Sequence, residues 1–588
     1  MQWCGFWLDC LEAGWTIGDT EMAGVMSDTL LAKISRVLGI RGGPDVEGGG
    51  DGPDTNNALR MRNNSRLEFA LLGEGSWNCT YTIARHGTGT RDMDGDGGGG
   101  DDGGAQRRLS RYLLRVSLPV WPGRKVTSEV ANMRWVRQNT SIPLPEVLYF
   151  EDPHPASSSN TKGLDGDDGP FFPYPWILME KAPGVPFAEA HRNISQDAKL
   201  ALARDLADWV HELAAHPFPL IGSLGVAPRE KGQPQHNKQA PAPLDIGPVV
   251  GQKFFGDWRL EYCLHRGPFS DLHTFAKSLV ACQLAEVQDP RQRLRTAISS
   301  ANSGRGGREP SPADRDVAFA AASAGGCCSP RAADYCSATE HKPGAPVCLC
   351  TSRYLSLEHM DEYKSRCEAL ARLVDVVVPR SPIWRASPRP HTVVQAAGAG
   401  EGGGGGGAKG AVLHHWDISE DNLLVDPETG RPTAVIDWEQ LFLVPIPFAD
   451  YYPRLLAPGP DAPESPTIRE WEPGKEKPEW CLRDEDRWNR RLMRDAFDGR
   501  LLQLDSPWLD ACVQEDFFGH RIGGRRQWQG DDGGSSRDAI TSGSDTWDAL
   551  ATDVVRHAMA TWYELSDVER LGKREEALRS RLGSAGGY

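Results

Sequence analysis

The stretch that decides the fold is HWDISEDN, from His415 to Asn422, followed by IDWE at 436–439. Asp417 supplies a carboxylate that can orient an acceptor hydroxyl and take its proton. Asn422, five residues further on, supplies an amide oxygen, and Asp437 supplies a second carboxylate. Such oxygens are the ligands that Mg²⁺ prefers in proteins. The spacing therefore predicts a catalytic Asp417, braced by His415, beside magnesium ligands Asn422 and Asp437.

The apolar pattern upstream of this stretch predicts a small antiparallel lobe. Alternation predicts five strands, and a 3.6-residue period predicts a helix after the third of them, at 67–72, 79–84, 112–116, helix 126–138, 145–150 and 176–179. After Pro183-Gly184 the chain becomes mainly helical, with long helices predicted at 198–215 and 355–377. We therefore expect an α+β, bilobal, protein-kinase-like fold, in which one main helix accompanies the N-lobe sheet and the C-lobe is larger and mainly helical.

A glycine turn between the first two predicted strands is a candidate nucleotide contact. Gly73 and Gly75 would let the backbone approach a phosphate group, and Ser76 offers a hydrogen-bond donor. An ordinary hairpin would also place glycines here.

Three further residues are predicted to bind the nucleotide. Arg115 lies on the third strand, where kinases keep the lysine that contacts the α- and β-phosphates, and Glu129 in the next helix is its predicted ion-pair partner. Arginine can hold phosphate through two nitrogens, but its planar fork is not interchangeable with an ammonium group. A surface salt bridge is the alternative. Glu180 ends the last strand, where an adenine would meet a hinge, although a buried strand and linker would show the same pattern.

These features together resemble the aminoglycoside phosphotransferase, or phosphotransferase enzyme, family, in particular its fungal members. The resemblance extends over about 67–453 apart from inserts, and its most specific stretches are 128–147, 176–184, 266–269 and 414–450. It implies a kinase-like fold that binds ATP and Mg²⁺ between two lobes and phosphorylates a hydroxyl group of a small molecule. It implies Asp417 as the base, Asn422 and Asp437 as magnesium ligands and Arg115 as the phosphate contact. Family membership does not fix the acceptor.

Acidic residues after Asp437 are candidates for the acceptor pocket, with Glu439 and Asp450 the nearest. Such a pocket would suit a cationic amine substrate. A solvated acidic face is the more common arrangement in a chain of this charge.

Low-complexity segments divide the 588-residue chain. We expect a partly disordered N-terminal extension at 1–60, whose Trp and Leu residues could pack onto the small lobe, an N-lobe at 61–182 and a C-lobe at 183–588. Segments rich in Gly, Ser, Ala and Asp cannot bury enough apolar surface to offset the entropy of ordering them. They predict disordered inserts at about 87–107, 229–244, 290–352, 385–410 and 522–545.

Composition excludes several classes of partner. The 81 acidic residues outnumber the 65 basic ones and give a net charge of −16, which disfavours nucleic acid. The sequence has no secretory signal and no apolar run long enough to cross a bilayer, so we expect no membrane partner, a cytoplasmic location and reduced cysteines. Five clustered cysteines fit no paired zinc pattern, at positions 327, 328, 336, 348 and 350. The oligomeric state is not indicated.

Two other functions stay open. Arginine at position 115 and the long inserts are compatible with an inactive, nucleotide-binding scaffold, although Asp417, Asn422 and Asp437 are all present. A Ser/Thr protein kinase would need an activation segment ending in Ala-Pro-Glu. The one occurrence of these letters, at 462–464, lies in a Pro-rich loop that is too loosely placed to count.

Overall fold

The computed structural model describes twelve stretches of chain and three single residues, namely 30, 34, 37, 66–74, 77–86, 112–152, 174–226, 244–256, 259–293, 296–297, 356–380, 410–457, 477–509, 547–560 and 565–585. Gly75, Ser76, the five clustered cysteines and the 461–464 segment lie outside the described residues. So do nearly all residues of the five predicted inserts.

The small lobe is a five-stranded antiparallel sheet with one long helix against it. Its strands run in the order β1-β2-β3-β5-β4, and the helix α1 follows β3. Their bounds are β1 Arg66–Glu74, β2 Asn78–His86, β3 Tyr112–Ser117, α1 Lys125–Asn139, β4 Val147–Glu151 and β5 Trp176–Glu180. Each predicted strand, and the helix between them, is present within three residues of its expected bounds.

The two faces of this sheet bury different apolar sets because side chains alternate along a strand. On β5, Trp176 and Leu178 face one cluster, and that cluster also contains the fully buried Leu30 and Ile34 of the N-terminal extension. Ile177 and Met179, the alternate positions, pack against Val126 and Val130 of α1. Part of the extension therefore covers the sheet face opposite the helix, as its apolar content predicted.

The start of α1 is capped from another element. The helix begins at Lys125 without a side-chain cap from its own flank. Asp152, just after β4, accepts hydrogen bonds from the backbone N–H groups of Gly123 at 2.8 Å and Thr127 at 3.0 Å. A carboxylate here satisfies donors that the first helical turn leaves free. This cap fixes α1 to the sheet and thereby fixes Glu129.

The large lobe is mainly helical. Three of its long helices begin directly after a capping residue, Ser195, Asp271 or Ser356. The side chain of each capping residue accepts a hydrogen bond from a backbone N–H of the first helical turn. Its elements are β6 Val185–Pro186, α2 Phe187–Ala190, α3 Gln196–Ala214, β7 Ser223–Val226, β8 Leu244–Gly247, α4 Gln252–Phe255, α5 Leu272–Gln288, α6 Leu357–Val377, β9 Ala411–Leu413, β10 Leu423–Val425, β11 Pro432–Val435, β12 Leu443–Pro445, α7 Glu479–Gln503, α8 Trp547–Met559 and α9 Leu565–Ala585.

Short strands of the large lobe carry the two chemically important loops. β10 pairs antiparallel with β11, and β9 pairs antiparallel with β12. The β9–β10 loop contains 414–422, and the β11–β12 loop contains 436–442. The backbone N–H of Ile436 donates to the carbonyl of Asn422 at 2.9 Å, so the two loops lie side by side.

The expected bilobal, kinase-like α+β fold is confirmed. The helices predicted at 198–215 and 355–377 are α3 and α6, each within two residues of the expected bounds. No described helix combines the length and the apolar character needed to cross a membrane.

Candidate active site

Arg115 contacts residues of both lobes. Its Nη1 lies 2.8 Å from Oε1 of Glu129 on α1, as the sequence predicted. Its Nη2 lies 2.7 Å from Oδ1 of Asp437 and 3.2 Å from Oε2 of Glu439, both in the β11–β12 loop. One guanidinium group thus holds the small-lobe helix and the predicted magnesium ligand at the same time.

A second cation, Lys125, lies in the same network and was missed from the sequence. Its side chain is only 2% exposed, and Nζ is 2.5 Å from Oε2 of Glu439 and 3.2 Å from Oδ1 of Asn78. Asn78 donates from Nδ2 to the same Glu439 oxygen at 2.8 Å and accepts from the Ser117 hydroxyl. Lys125 and Glu129 are four residues apart and so lie on one face of α1. That spacing was the signal that could have identified Lys125.

Burial and pairing give the network unequal pKa values. Burial alone would lower the pKa of Arg115, but the carboxylates of Glu129, Glu439 and Asp437 outweigh it and raise that pKa. Burial raises the pKa of Glu129 to about 7 despite Arg115, and Oε2 of Glu129 has no hydrogen-bond partner among the described residues. Burial acts in the same direction on Glu439, but Lys125 and Arg115 overcome it and hold its pKa at about 2. Glu439 is therefore a fixed anion at neutral pH.

Asp437 is presented by a strained turn. Its φ of 67° is in the left-handed region, which non-glycine residues adopt rarely, and its side chain is 37% exposed. The strand β11 ends at Val435, two residues before Asp437, and the chain turns away from the sheet there. Asn132 of α1 donates to the carbonyl of Trp438 at 3.1 Å, which fastens the turn to the small lobe.

The Asp417 loop is braced from within. Nδ2 of Asn422 donates to the backbone carbonyl of Asp417 at 3.0 Å and to its Oδ2 at 3.1 Å. His415 Nδ1 accepts from the Asp417 backbone N–H at 3.2 Å, and its Nε2 lies 3.3 Å from the carbonyl of Ile436. These partners require a neutral ring with the proton on Nε2. The His415 ring therefore connects the two loops and holds them in position.

A pH dependence of stability follows from His415. Burial, and after it the neighbouring His414, lowers the pKa of His415 from 6.5 to about 4. Between these values the unfolded chain binds more protons than the folded chain, so stability is lost as the pH falls from 6.5 to 4, by up to about 3 kcal/mol. We expect the difference in unfolding free energy between the native chain and His415→Asn to shrink over this pH range. Urea titrations at several pH values would measure it, and a constant difference would contradict the assignment.

The oxygen set around Asn422 and Asp437 fits magnesium. Asn422 uses its Nδ2 on Asp417, which leaves the amide oxygen free of a hydrogen bond from any described residue. Among described residues, no group of three or more His, Cys, Asp or Glu side chains could enclose a metal by itself. Mg²⁺ characteristically binds one or two protein oxygens together with nucleotide phosphates and water. Asp437 and Asn422 can supply the protein oxygens, and a bound nucleotide would have to supply the phosphate oxygens.

The remaining predicted nucleotide contacts lie at the edge of the small lobe. Gly73 lies near the end of β1 with open space where a side chain would project, and the adjacent Leu71 and Leu72 are exposed. Glu180 is exposed at the end of β5, and its backbone N–H already donates to the carbonyl of Glu146 at 2.9 Å. The roles of Gly75 and Ser76, outside the described residues, stay predictions.

The prediction that Glu439 lines the acceptor pocket is wrong. Its carboxylate is 8% exposed and is occupied by Lys125, Arg115 and Asn78, so it cannot meet an acceptor. Asp450, in contrast, is 64% exposed, and its carboxylate lies 4.0 Å from Nε2 of His414.

Comparisons with known proteins find a family match for part of the chain. Residues 101–261 match the model of the phosphotransferase enzyme family. A segment of 169 residues is 27% identical to a subtelomeric hrmA-associated cluster protein of Aspergillus fumigatus, and the match covers 28% of this chain and 30% of that protein. The chain therefore spans less than a third of the length of that relative.

Two solved structures of aminoglycoside phosphotransferase APH(4)-Ia are similar to the chain. A thermostable mutant in a ternary complex with AMP-PNP and hygromycin B shares 12% identity, with 84% of this chain and 96% of the other covered and a TM-score of 0.27. The second structure shares 12% identity over 84% and 94% of the chains, with a TM-score of 0.25. Similarity at this level transfers neither ligand nor substrate to this chain.

Proposed function

Over residues 101–261 the chain matches the phosphotransferase enzyme family, as its motifs predicted, and we propose that it transfers the γ-phosphoryl group of ATP to a hydroxyl group of a small molecule. The observation that supports this most strongly is the contact of Arg115 with Glu129 at 2.8 Å and with Asp437 at 2.7 Å. These three groups come from a strand, a helix and a loop of two lobes. Kinases use this combination to hold nucleotide phosphates beside a metal.

Each residue has a defined task in this proposal. Arg115 leaves Asp437 and turns to the phosphates of ATP, while Glu129 keeps its guanidinium oriented. Asp437 and Asn422 would then hold Mg²⁺, which neutralises negative charge on the phosphoryl groups when it is bound. Asp417 takes the proton of the acceptor hydroxyl as its oxygen bonds to the γ-phosphorus, and ADP leaves with the bridging oxygen.

Lys125 makes the movement of Arg115 feasible. If Arg115 were the only cation near Glu439, its departure would leave a buried carboxylate without a counter-charge, which is costly. Lys125 at 2.5 Å and Asn78 at 2.8 Å remain on Glu439 throughout. We assign Arg115 as the movable cation and Lys125 as the fixed one.

Leu71 and Leu72 extend the proposed site toward the adenine. Both are exposed on β1 beside Gly73, and large apolar side chains with this exposure are few among the described residues. A base stacked against them would remove apolar surface from water. The location of the enzyme is proposed to be cytoplasmic, and nucleic acid and membranes are not proposed as partners.

The test is transfer of the γ-phosphoryl group from labelled ATP. The full chain would be incubated with pooled hydroxylated small molecules in Mg²⁺ and, as a control, in excess chelator. We expect label to appear in an organic product or, with water as the acceptor, in free phosphate, only with Mg²⁺. Binding of ATP without any consumption in any pool would favour the inactive scaffold, for which arginine at position 115 is the specific argument.

A further inference from the structure

The proposed base, Asp417, is paired with an arginine on the side where an acceptor would approach. Nη1 of Arg454 lies 2.8 Å from Oδ1 of Asp417. The Arg454 side chain is 68% exposed and that of Asp417 is 40% exposed, so both are accessible to a ligand. Nε and Nη2 of Arg454 form no hydrogen bond with any described residue. Two guanidinium donors therefore remain available beside the reacting carboxylate.

The backbone under Arg454 is fixed to the catalytic loop. Arg454 begins a single 3-10 turn that ends at Leu456, and the N–H of Leu455 donates to the carbonyl of Ile418 at 2.8 Å. Arg494 of α7 donates to the carbonyl of Leu456 at 3.2 Å. The guanidinium of Arg454 is thus held near Asp417 by the fold as well as by charge.

Other charged groups near this loop already have partners of their own. Glu420 is neutralised by an ion pair with Arg490 of α7. Asp498 accepts hydrogen bonds from the hydroxyl groups of Tyr451 at 3.0 Å and Tyr452 at 2.8 Å, and burial raises its pKa. The exposed Asp450 lies beside His414. Arg454 is the charged side chain in direct contact with the Asp417 carboxylate.

We infer that the acceptor carries an oxyanion, a carboxylate or a phosphate group, close to the hydroxyl that receives the phosphoryl group, and that Arg454 binds this oxyanion. This inference rests on the proposed function. A planar guanidinium matches the two oxygens of an oxyanion, which the free Nε and Nη2 can hold while the hydroxyl occupies Asp417. Exposed ion pairs such as Arg454–Asp417 contribute little stability, so exchanging one for a ligand costs little. A cationic acceptor would instead be repelled at this position.

The test compares three small probes of equal length that share a hydroxyl group and differ in the other terminal group, which is anionic, cationic or neutral. These are 4-hydroxybutyrate, 4-amino-1-butanol and 1,4-butanediol, titrated into the full chain with Mg²⁺ and AMP-PNP and followed by saturation-transfer NMR. We expect 4-hydroxybutyrate to bind at least about tenfold more tightly than the other two. In Arg454→Gln this advantage should disappear, and in Arg454→Lys it should be kept only in part because the fork is lost.

The control variant is Arg293→Gln, which removes a partly exposed arginine paired with the exposed Asp361 elsewhere in the large lobe. It should leave all three affinities unchanged. Equal or tighter binding of 4-amino-1-butanol, an anion preference that survives in Arg454→Gln, or no binding of 4-hydroxybutyrate up to about 50 mM would each overturn the inference. AMP-PNP binding is measured first, because its absence would count against the proposed function instead.

Discussion

Replacing Asp417 by asparagine is expected to lower the rate of phosphoryl transfer by about 10²- to 10⁴-fold, the range that a positioned general base contributes. Asparagine has the same shape, and its side-chain oxygen can keep the hydrogen bond that Oδ2 now accepts from Asn422 at 3.1 Å. What is lost is the charge that takes the acceptor proton and that pairs with Arg454. Magnesium-dependent binding of ATP should stay within about twofold, because Asp417 is not assigned to the nucleotide or the metal.

The matched control for this substitution is Asp375→Asn. Asp375 is an exposed carboxylate on α6 that pairs with Lys277 at 2.8 Å and His273 at 2.9 Å, outside the candidate site. Its replacement should leave the turnover of labelled ATP unchanged. A transfer rate in Asp417→Asn within tenfold of that of the native chain would contradict the assignment of Asp417 as the base.

Replacing Lys125 by methionine is expected to destabilise the protein by about 3 kcal/mol, the cost of leaving a buried ion pair with one partner missing. Methionine fills nearly the same volume as the lysine stem, so the loss reports the charge and not a cavity. Glu439, held at a pKa of about 2 mainly by Lys125 and Arg115, would keep Arg115, Asn78 and a 3.4 Å hydrogen bond from Gln440 as its partners among the described residues. Urea unfolding measures the change.

A second substitution separates charge from packing in this experiment. In the double variant Lys125→Met, Glu439→Gln the stranded carboxylate is absent, so the two effects should be non-additive by at least about 1.5 kcal/mol. Lys199→Met is the matched control. Lys199 is also buried, but burial lowers its pKa and none of the ion pairs of the described residues includes it, so removing its charge should cost under about 1 kcal/mol. Equal losses at positions 125 and 199 would contradict the assigned role of Lys125.

Much of the fold could be predicted because local patterns agree with the tertiary structure. The alternation in Trp176–Glu180 directs successive side chains to opposite faces of the sheet, and both faces are covered. The Arg115–Glu129 pair could be predicted because it joins neighbouring elements only 14 residues apart. Periodicity and short-range spacing carry this kind of information.

The contacts that were missed depend on distant parts of the chain. The lysine at the first position of α1 has the pattern of a solvated residue, and its burial depends on Glu439, which is 314 positions away. The same contact explains why Glu439 could not be predicted as buried and why it was assigned to the acceptor pocket. Arg454 meets Asp417 through a turn whose position depends on Ile418 and α7. Local spacing could have put Lys125 on the same helix face as Glu129, but no local sequence pattern encodes the long-range contacts that bury Lys125 and Glu439 and bring Arg454 to Asp417.

Our central proposal is that Asp437 binds a magnesium-nucleotide complex beside Arg115, where the two lobes meet. Calorimetric titration of ATP into the native chain and into Asp437→Asn, each with Mg²⁺ and with chelator, tests it most directly. We predict that the native chain binds ATP only with Mg²⁺ and that Asp437→Asn weakens this binding by at least about tenfold, a loss of about 1.4 kcal/mol. Equal affinity in both chains, or no binding by the native chain at millimolar ATP, would contradict the claim.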